Sequence, residues 1–258
     1  MTPTLILLVD ALAGALMGAV TGLTGANGMS VLVSILLLAG NRIHEVIGLC
    51  LATQIVAMSA AAVPHIQAQG VSWRIVGALC LPAALFAYLG ARVALAIPAV
   101  VLTVFVIATL AILGGALIRA RPEAAKPEAG DHGGARRGRQ LALVGFAGVL
   151  SGFFAGLVGG GANIAVAYAL HRVLGIGYRR SIAMSLCLGV VSAILGAASY
   201  LAAGRLDLLR ALVIAVPALV TARLFSALSS RLPTHRIKQT QGAYLLLAAA
   251  AVLARRWG

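Results

Sequence analysis

Acidic residues are scarce in this chain of 258 residues: Asp and Glu together number 6, against 20 Lys and Arg. Charged residues make up only 10% of the sequence, whereas soluble domains carry about 25%. This shortage excludes a soluble globular enzyme, and the 61% hydrophobic content excludes a disordered chain. The three cysteines are too few for a disulfide scaffold. What remains is an all-α polytopic membrane protein, in agreement with the mean hydropathy of +1.03.

Catalytic motifs are also missing. The sequence contains no GxxxxGK phosphate-binding loop, no HExxH and no GxSxG, and Asp10, Glu45 and Asp207 are the only acids outside one charged stretch near the middle. We therefore expect neither an enzyme nor an ATP-driven pump, and no cofactor or metal. The net charge of +14 does not indicate nucleic acid, because the basic residues lie in short gaps between apolar runs, where they set membrane topology.

A repeated row of glycines indicates an internal duplication. The first row is Gly14, Gly18 and Gly22, and the second is Gly148, Gly152 and Gly156. Further along, Gly70 matches Gly204 at the same spacing, and Pro82 matches Pro217 one residue later. We expect a first membrane repeat over 1–118, a basic cytoplasmic linker containing Pro and Gly over 119–140, and a second membrane repeat over 141–258.

Each repeat contains five apolar segments. They cover 4–24, 29–40, 46–64, 72–94 and 98–118, then 141–158, 164–175, 181–203, 207–230 and 237–254. The second segment of each repeat has about 12 residues and would rise about 18 Å as a helix, against an apolar bilayer core of about 30 Å. We expect it to be a short or broken helix.

The distribution of Lys and Arg favours one topology. If all ten segments cross and the linker is cytoplasmic, thirteen basic residues lie inside and six outside, with Arg223 set aside within a helix. If the short segments only dip into the bilayer, the split is 11 to 8. We therefore predict inverted repeats with the N-terminus outside, in a multi-pass protein of the plasma (inner) membrane.

Glycine-rich breaks stand at matching positions of the two repeats, GLTGANG at 22–28 and GLVGGGAN at 156–163. A helix that begins inside the membrane presents unpaired N–H groups and a positive dipole end, which attract an anion. In the alternative interpretation, the glycines only permit tight turns and the asparagines cap the short helices. The substrate-binding residues predicted at the breaks are Thr24, Gly25, Asn27, Gly28, Gly159, Gly160, Gly161 and Asn163.

Three further polar residues lie within apolar segments. Ser185 belongs to a row of serines that can line a hydrated path or a tight helix seam, and Gln54 is bulky enough to need a partner if it is buried. Arg223 would supply a fixed positive charge to an anion path, or its long side chain would extend to the cytoplasmic headgroups. We include all three in the predicted substrate site.

These motifs resemble the sulfite exporter family TauE/SafE. The second half is the more similar, through GLVGGGAN, the run RRSIAMSLCLGVVSAILGAASYLAAG at 179–204, Pro217 and the basic turn RLPTHR at 231–236. Ser185 matches the small hydroxyl residue of the family, whereas the first half departs from the pattern, with Cys50 and Leu51 about where such residues would stand. The resemblance implies a permease for sulfite, sulfonates or related small sulfur-containing anions.

The prediction from sequence is thus an exporter of a small sulfur-containing oxyanion such as sulfite or an organosulfonate. Its partners would be that anion and the lipid bilayer, with no nucleic acid, and the sequence leaves open whether the chain forms a homo-oligomer. The alternative is a membrane partner of a sulfur-relay or sulfur-assimilation system, which delivers sulfur through cysteines such as Cys50 and Cys187.

Overall fold

The computed structural model of the chain describes residues 3–25, 28–119, 134–160 and 162–229, together with residues 243, 246, 247, 249, 250 and 253. Within these ranges the protein is helical and has no strand. Six of the described helices are long and apolar enough to cross a membrane. The chain is therefore a multi-pass membrane protein, as its composition predicts.

The helices of the described ranges follow the apolar segments closely. They are α1 Pro3–Thr24, α2 Met29–Leu38, α3 Ile43–Gln69, α4 Trp73–Ala96, α5 Ala99–Arg119, α6 Gly134–Val158, α7 Ala162–Leu174, α8 Tyr178–Ala202 and α9 Leu208–Ser229. The predicted segment 237–254 lies almost wholly outside the described residues.

Two helices extend beyond their predicted limits. α3 continues through Pro64 to Gln69, because a membrane-buried helix tolerates a proline when neighbouring helices and local adjustments satisfy the freed backbone groups. α6 begins at Gly134, inside the predicted linker, because Ala135, Arg136 and Arg137 are strong helix formers even though they are not apolar.

The two glycine rows bring helices of different repeats into backbone contact. A side chain at Gly14, Gly18 or Gly22 of α1 would overlap the carbonyl oxygens of Ile214, Ala218 and Ala222 of α9, in that order. The row of α6, at Gly148, Gly152 and Gly156, meets Leu79, Ala83 and Ala87 of α4 in the same way. Small residues permit this close approach, and the order of the contacts shows that both helix pairs run parallel.

At the centre of the bundle, α3 and α8 pack against each other and run in opposite directions. Gly48 of α3 lies beside Tyr200 of α8, while the more C-terminal Met58 lies beside Gly189. α3 and α9 run the same way, since Gly48 also approaches the Arg205 carbonyl just before α9, and Ser226 near the end of α9 donates to the Ala61 carbonyl (3.1 Å). Consequently α1, α3 and α9 share one direction, and α8 has the opposite one.

Burial separates the centre of the bundle from its periphery. α3 and α8 are the most buried of the candidate spans. Outer helices expose large apolar side chains, among them Leu8 of α1, Leu81 of α4 and Leu209 of α9. Such exposure would be unfavourable in water but suits a surface that contacts lipid hydrocarbon.

Candidate functional site

The first break folds back on the end of α1. Gly25 has a φ of +61°, a backbone conformation that residues other than glycine rarely adopt. The backbone N–H of Gly28 donates to the Thr21 hydroxyl (3.0 Å), which itself donates to the Met17 carbonyl (2.8 Å). Thr24 is buried, and its hydroxyl donates to the Val20 carbonyl (2.6 Å). The predicted site residue Asn27 lies outside the described residues.

The second break joins α6 to α7. Gly159 has a φ of +86° and Gly160 a φ of +138°, so both positions favour glycine. The predicted site residue Gly161 lies outside the described residues. Asn163, the second residue of α7, is 1% exposed and donates from Nδ2 to the sulfur of Met58 on α3 (3.4 Å).

Each break contacts the third helix of the other repeat. A side chain at Gly25 would overlap Ile182 of α8, and a side chain at Gly159 would overlap Ile47 of α3 and Met29 at the start of α2. The two isoleucines are 135 residues apart, the spacing that also relates Pro82 to Pro217. The two breaks therefore pack against matching positions of α3 and α8.

A polar layer lies at mid-height between α3 and α8. Leu51 packs on Gly196 and Met58 on Gly189, and Gln54 and Ser192 occupy the next helical turn between these two contacts. Asn163 borders the same layer through Met58 and Gly189. We call Gln54, Asn163 and Ser192 the central polar layer.

All three side chains of the central polar layer are buried without a full set of partners. Gln54 Oε1, Asn163 Oδ1 and Ser192 Oγ have no hydrogen-bond partner, and Thr53 Oγ1 beside Gln54 has none either. Buried polar atoms are normally satisfied, and an exception calls for an explanation such as an absent ligand or water. The layer can therefore accept and donate hydrogen bonds to a small polar solute.

The structure brings together only part of the predicted site. Gln54 and Asn163 both belong to the central polar layer, whereas Ser185, two helical turns from Ser192 on α8, uses its hydroxyl within its own helix by donating to the Ile182 carbonyl (2.9 Å). Arg223 lies on the exposed side of α9. That position favours the alternative in which its side chain extends to the headgroups.

A polar cluster between the repeats was not predicted from the sequence. Arg210 of α9 donates from two nitrogens to the two carboxylate oxygens of Asp10 in α1 (2.8 and 2.9 Å), and from a third to Asn41 Oδ1 (2.9 Å). Asp10 is 1% exposed. The available signal was the acid itself, because a carboxylate inside an apolar helix requires a cationic partner.

Helices interrupted at matching positions, together with a buried polar layer between the central helices, define a multi-pass membrane protein of the secondary-transporter class. A sequence model of the family described as "Sulfite exporter TauE/SafE" matches residues 11–252. The chain therefore belongs to the TauE/SafE family, and the resemblance seen in its motifs is confirmed. No curated protein matches the chain.

Proposed function

We propose that this protein is a permease that exports a small sulfur-containing oxyanion, such as sulfite or an organosulfonate, across the plasma membrane. The observation that carries the proposal is the central polar layer, in which Gln54, Asn163 and Ser192 are buried with unpartnered oxygens between two broken-helix repeats. Family membership supplies the class of substrate. The start of α7 adds the positive end of a helix dipole beside Asn163.

The membrane potential can drive this export. An inside-negative potential contributes about 2.3 kcal/mol per elementary charge per 100 mV to the exit of an anion. Export therefore requires no ATP. It also requires no carboxylate relay, and the buried carboxylate of Asp10 in α1 is engaged by Arg210.

We propose further that the repeats 1–118 and 141–258 are inverted and are joined by the linker 119–140. Two observations support this topology: the third helices, α3 and α8, run in opposite directions, and α1 and α3 run in the same direction. The second relation requires the segment between α1 and α3 to return across the bundle. A segment that only dips in and out would leave α1 and α3 antiparallel.

The structure lends no support to a sulfur relay through cysteines. Cys50 and Cys80 are buried and Cys187 is half-buried, and all three lie within membrane helices. A relay needs an accessible, ionisable thiol.

Flux in proteoliposomes tests the proposed function. Purified protein should carry sulfite or an organosulfonate in a panel that also contains thiosulfate, sulfate and simple carboxylates. Removing all three cysteines should leave that flux intact, whereas a sulfur relay would be lost. Carriage of carboxylates alone would contradict the proposal.

The second break offers a matched pair of variants. We predict that Gly160→Ala abolishes flux, because the residue is held at a φ of +138° and precedes Asn163 of the central polar layer by three positions. Gly175→Ala is the control, since Gly175 also has a positive φ (+66°) but lies in the loop between α7 and α8. Equal flux in the two variants would remove the second break from the substrate path.

A further inference from the structure

The central polar layer offers hydrogen-bond acceptors as well as donors. Gln54 and Asn163 are 2% and 1% exposed, and each carries an amide. Whichever way an amide is turned, it presents one carbonyl oxygen and two N–H groups. An anion that only accepts hydrogen bonds would leave both carbonyl oxygens unpaired, and its own oxygens would face them.

This mixture favours a particular kind of anion. We propose, resting on the proposed function, that the layer selects small sulfur oxyanions that themselves carry a hydrogen-bond donor, such as hydrogensulfite or a hydroxyalkanesulfonate. The donor binds to a carbonyl oxygen of Gln54 or Asn163, and the sulfonyl oxygens accept from the amide N–H groups and the Ser192 hydroxyl. Sulfate and plain alkanesulfonates lack such a donor and are disfavoured.

Two sulfonates of matched size isolate the donor. 2-Hydroxyethanesulfonate and 1-propanesulfonate have the same charge and the same number of non-hydrogen atoms, and they differ by a hydroxyl in place of a methyl group. We expect calorimetric titration of the purified full-length protein to give a Kd about tenfold lower for the hydroxylated compound, the equivalent of one net hydrogen bond.

Variants connect this preference to the layer. Gln54→Met combined with Asn163→Leu removes both amides of the layer, and should bring the two Kd values to within about twofold. Gln140→Met at the start of the apolar part of α6 is the control and should keep the difference. Equal Kd values in the unmodified protein, tighter binding of propanesulfonate, or binding of neither compound would overturn the selectivity. Binding with the expected preference but no sulfite flux would instead contradict the proposed function.

A second, independent observation concerns how the helices are grouped by packing. α1, α2, α3 and α9 pack on one another, and so do α4, α6, α7 and α8. Among the described helices, extensive packing between the two groups is confined to α3 against α8, while α5 contacts one helix of each group. The groups differ from the repeats in one helix each. The fourth helix of the second repeat, α9, belongs to the first group, and the fourth helix of the first repeat, α4, belongs to the second group.

The connections within a group are of a different kind from those between groups. Within each group, a glycine row sets backbone against backbone, so that sliding or tilting would cause overlap. Among the described residues, the chain passes from one group to the other at two short turns, which contain Gly70 and Gly204 with φ of +63° and +65°. Both of these glycines have open space around them.

We infer that the moving units of the transport cycle are these two groups and not the two repeats. Their relative motion takes place along the α3–α8 interface, which holds the central polar layer. The turns at Gly70 and Gly204 are the covalent hinges. The first group carries the break at 22–28 and the second group carries the break at 156–163. A movement of one group relative to the other therefore separates the two breaks.

Engineered disulfides distinguish the two kinds of motion. In a protein without native cysteines, Ala15→Cys with Thr221→Cys would join the repeats inside one group, because the Thr221 hydroxyl lies 2.9 Å from the Ala15 carbonyl. Leu51→Cys with Gly196→Cys would join the two groups. We expect oxidation to leave flux unchanged in the first pair and to abolish it in the second, with recovery on reduction. Loss of flux in the first pair, or retention in the second, would overturn the inference.

Spin labels provide a measurement that does not depend on flux. Labels at the exposed Leu8 and Leu209 lie within one group and should show a single distance with and without sulfite. Labels at Leu8 and Leu85 lie in different groups and should show a distance that shifts. A shift in the first pair with none in the second would assign the motion to the repeats.

Discussion

Unpartnered buried oxygens are the feature of individual residues that most clearly separates the centre of this protein from a packed core. Each such atom costs about 1–3 kcal/mol when it lacks a partner. Gln54, Asn163 and Ser192 therefore reduce stability in the unliganded protein. In the proposed transport function, a polar substrate bound in the layer supplies the missing hydrogen-bond partners, and this gain favours its entry into an otherwise apolar bundle.

At this scale we predict that stability and flux respond to Asn163 in opposite directions. Asn163→Leu removes an unsatisfied amide oxygen and should raise stability by about 1 kcal/mol while abolishing flux. Asn41→Leu is the matched control, because the Asn41 amide is bonded at both ends, to Arg210 and to the Leu36 carbonyl. That variant should be destabilised. Thermal unfolding in detergent measures the stability of both variants, and destabilisation by Asn163→Leu would contradict a substrate role for the unpaired amide oxygen.

Arg223 gives a second prediction about a single residue. Its exposed position on α9 leads us to expect that Arg223→Gln leaves the sulfite Kd within about twofold of the original value, since a side chain at the lipid headgroups adds little to binding in the bundle. Titration of the purified variant, at matched protein stability, provides the measurement. A clear loss of affinity would support the role in the anion path that the sequence suggests.

At the scale of helices, the sequence predicts where they lie but not which of them meet. Apolar runs and glycine breaks place most helix ends within a few residues, because length and composition control membrane insertion locally. The glycine rows also predict close packing. They cannot predict that α1 packs on α9, since a small-residue row fits any complementary small surface. For the same reason Asp10 signals a partner without identifying Arg210.

The glycine rows give a prediction about helix packing. Gly152→Val should destabilise the protein by about 3 kcal/mol or more, because the new side chain overlaps the Ala83 backbone of α4. Gly77→Val, within α4, is the control. It has open space around it and should change stability by less than about 1 kcal/mol. Thermal unfolding compares the two, and equal stability would mean that the helices can separate without cost.

At the scale of the whole molecule, charge asymmetry and helix direction point to the same topology by independent routes. The excess of Lys and Arg on one side favours ten crossings, and the shared direction of α1, α3 and α9 is what ten crossings require. The site was only partly predictable. Gln54 and Asn163 are polar residues in apolar runs and stand out, whereas the involvement of Ser192 depends on the register of α8 against α3.

Labelling from the two sides of the membrane tests this topology. Gln69 and Ala203 are exposed and lie at the matching turns after α3 and α8. In a protein without native cysteines, we predict that Gln69→Cys reacts only with reagent on the cytoplasmic side and Ala203→Cys only with reagent on the outside. Labelling of both positions from the same side would contradict the inversion.

The pairing of α1 with α9 also constrains how the protein is made. Asp10 and its partner Arg210 are 200 residues apart in the chain, so the first helix enters the bilayer long before its glycine row and its carboxylate can be covered. Chains are synthesised from the N-terminus at about 5–20 residues per second, which leaves α1 without its partner for about 10–40 seconds. During that interval α1 carries a carboxylate without its cationic partner, and it depends on the insertion machinery to remain in place. Neither half of the chain contains the helix that packs on the glycine row of its own first helix. Folding in the membrane therefore requires both halves together.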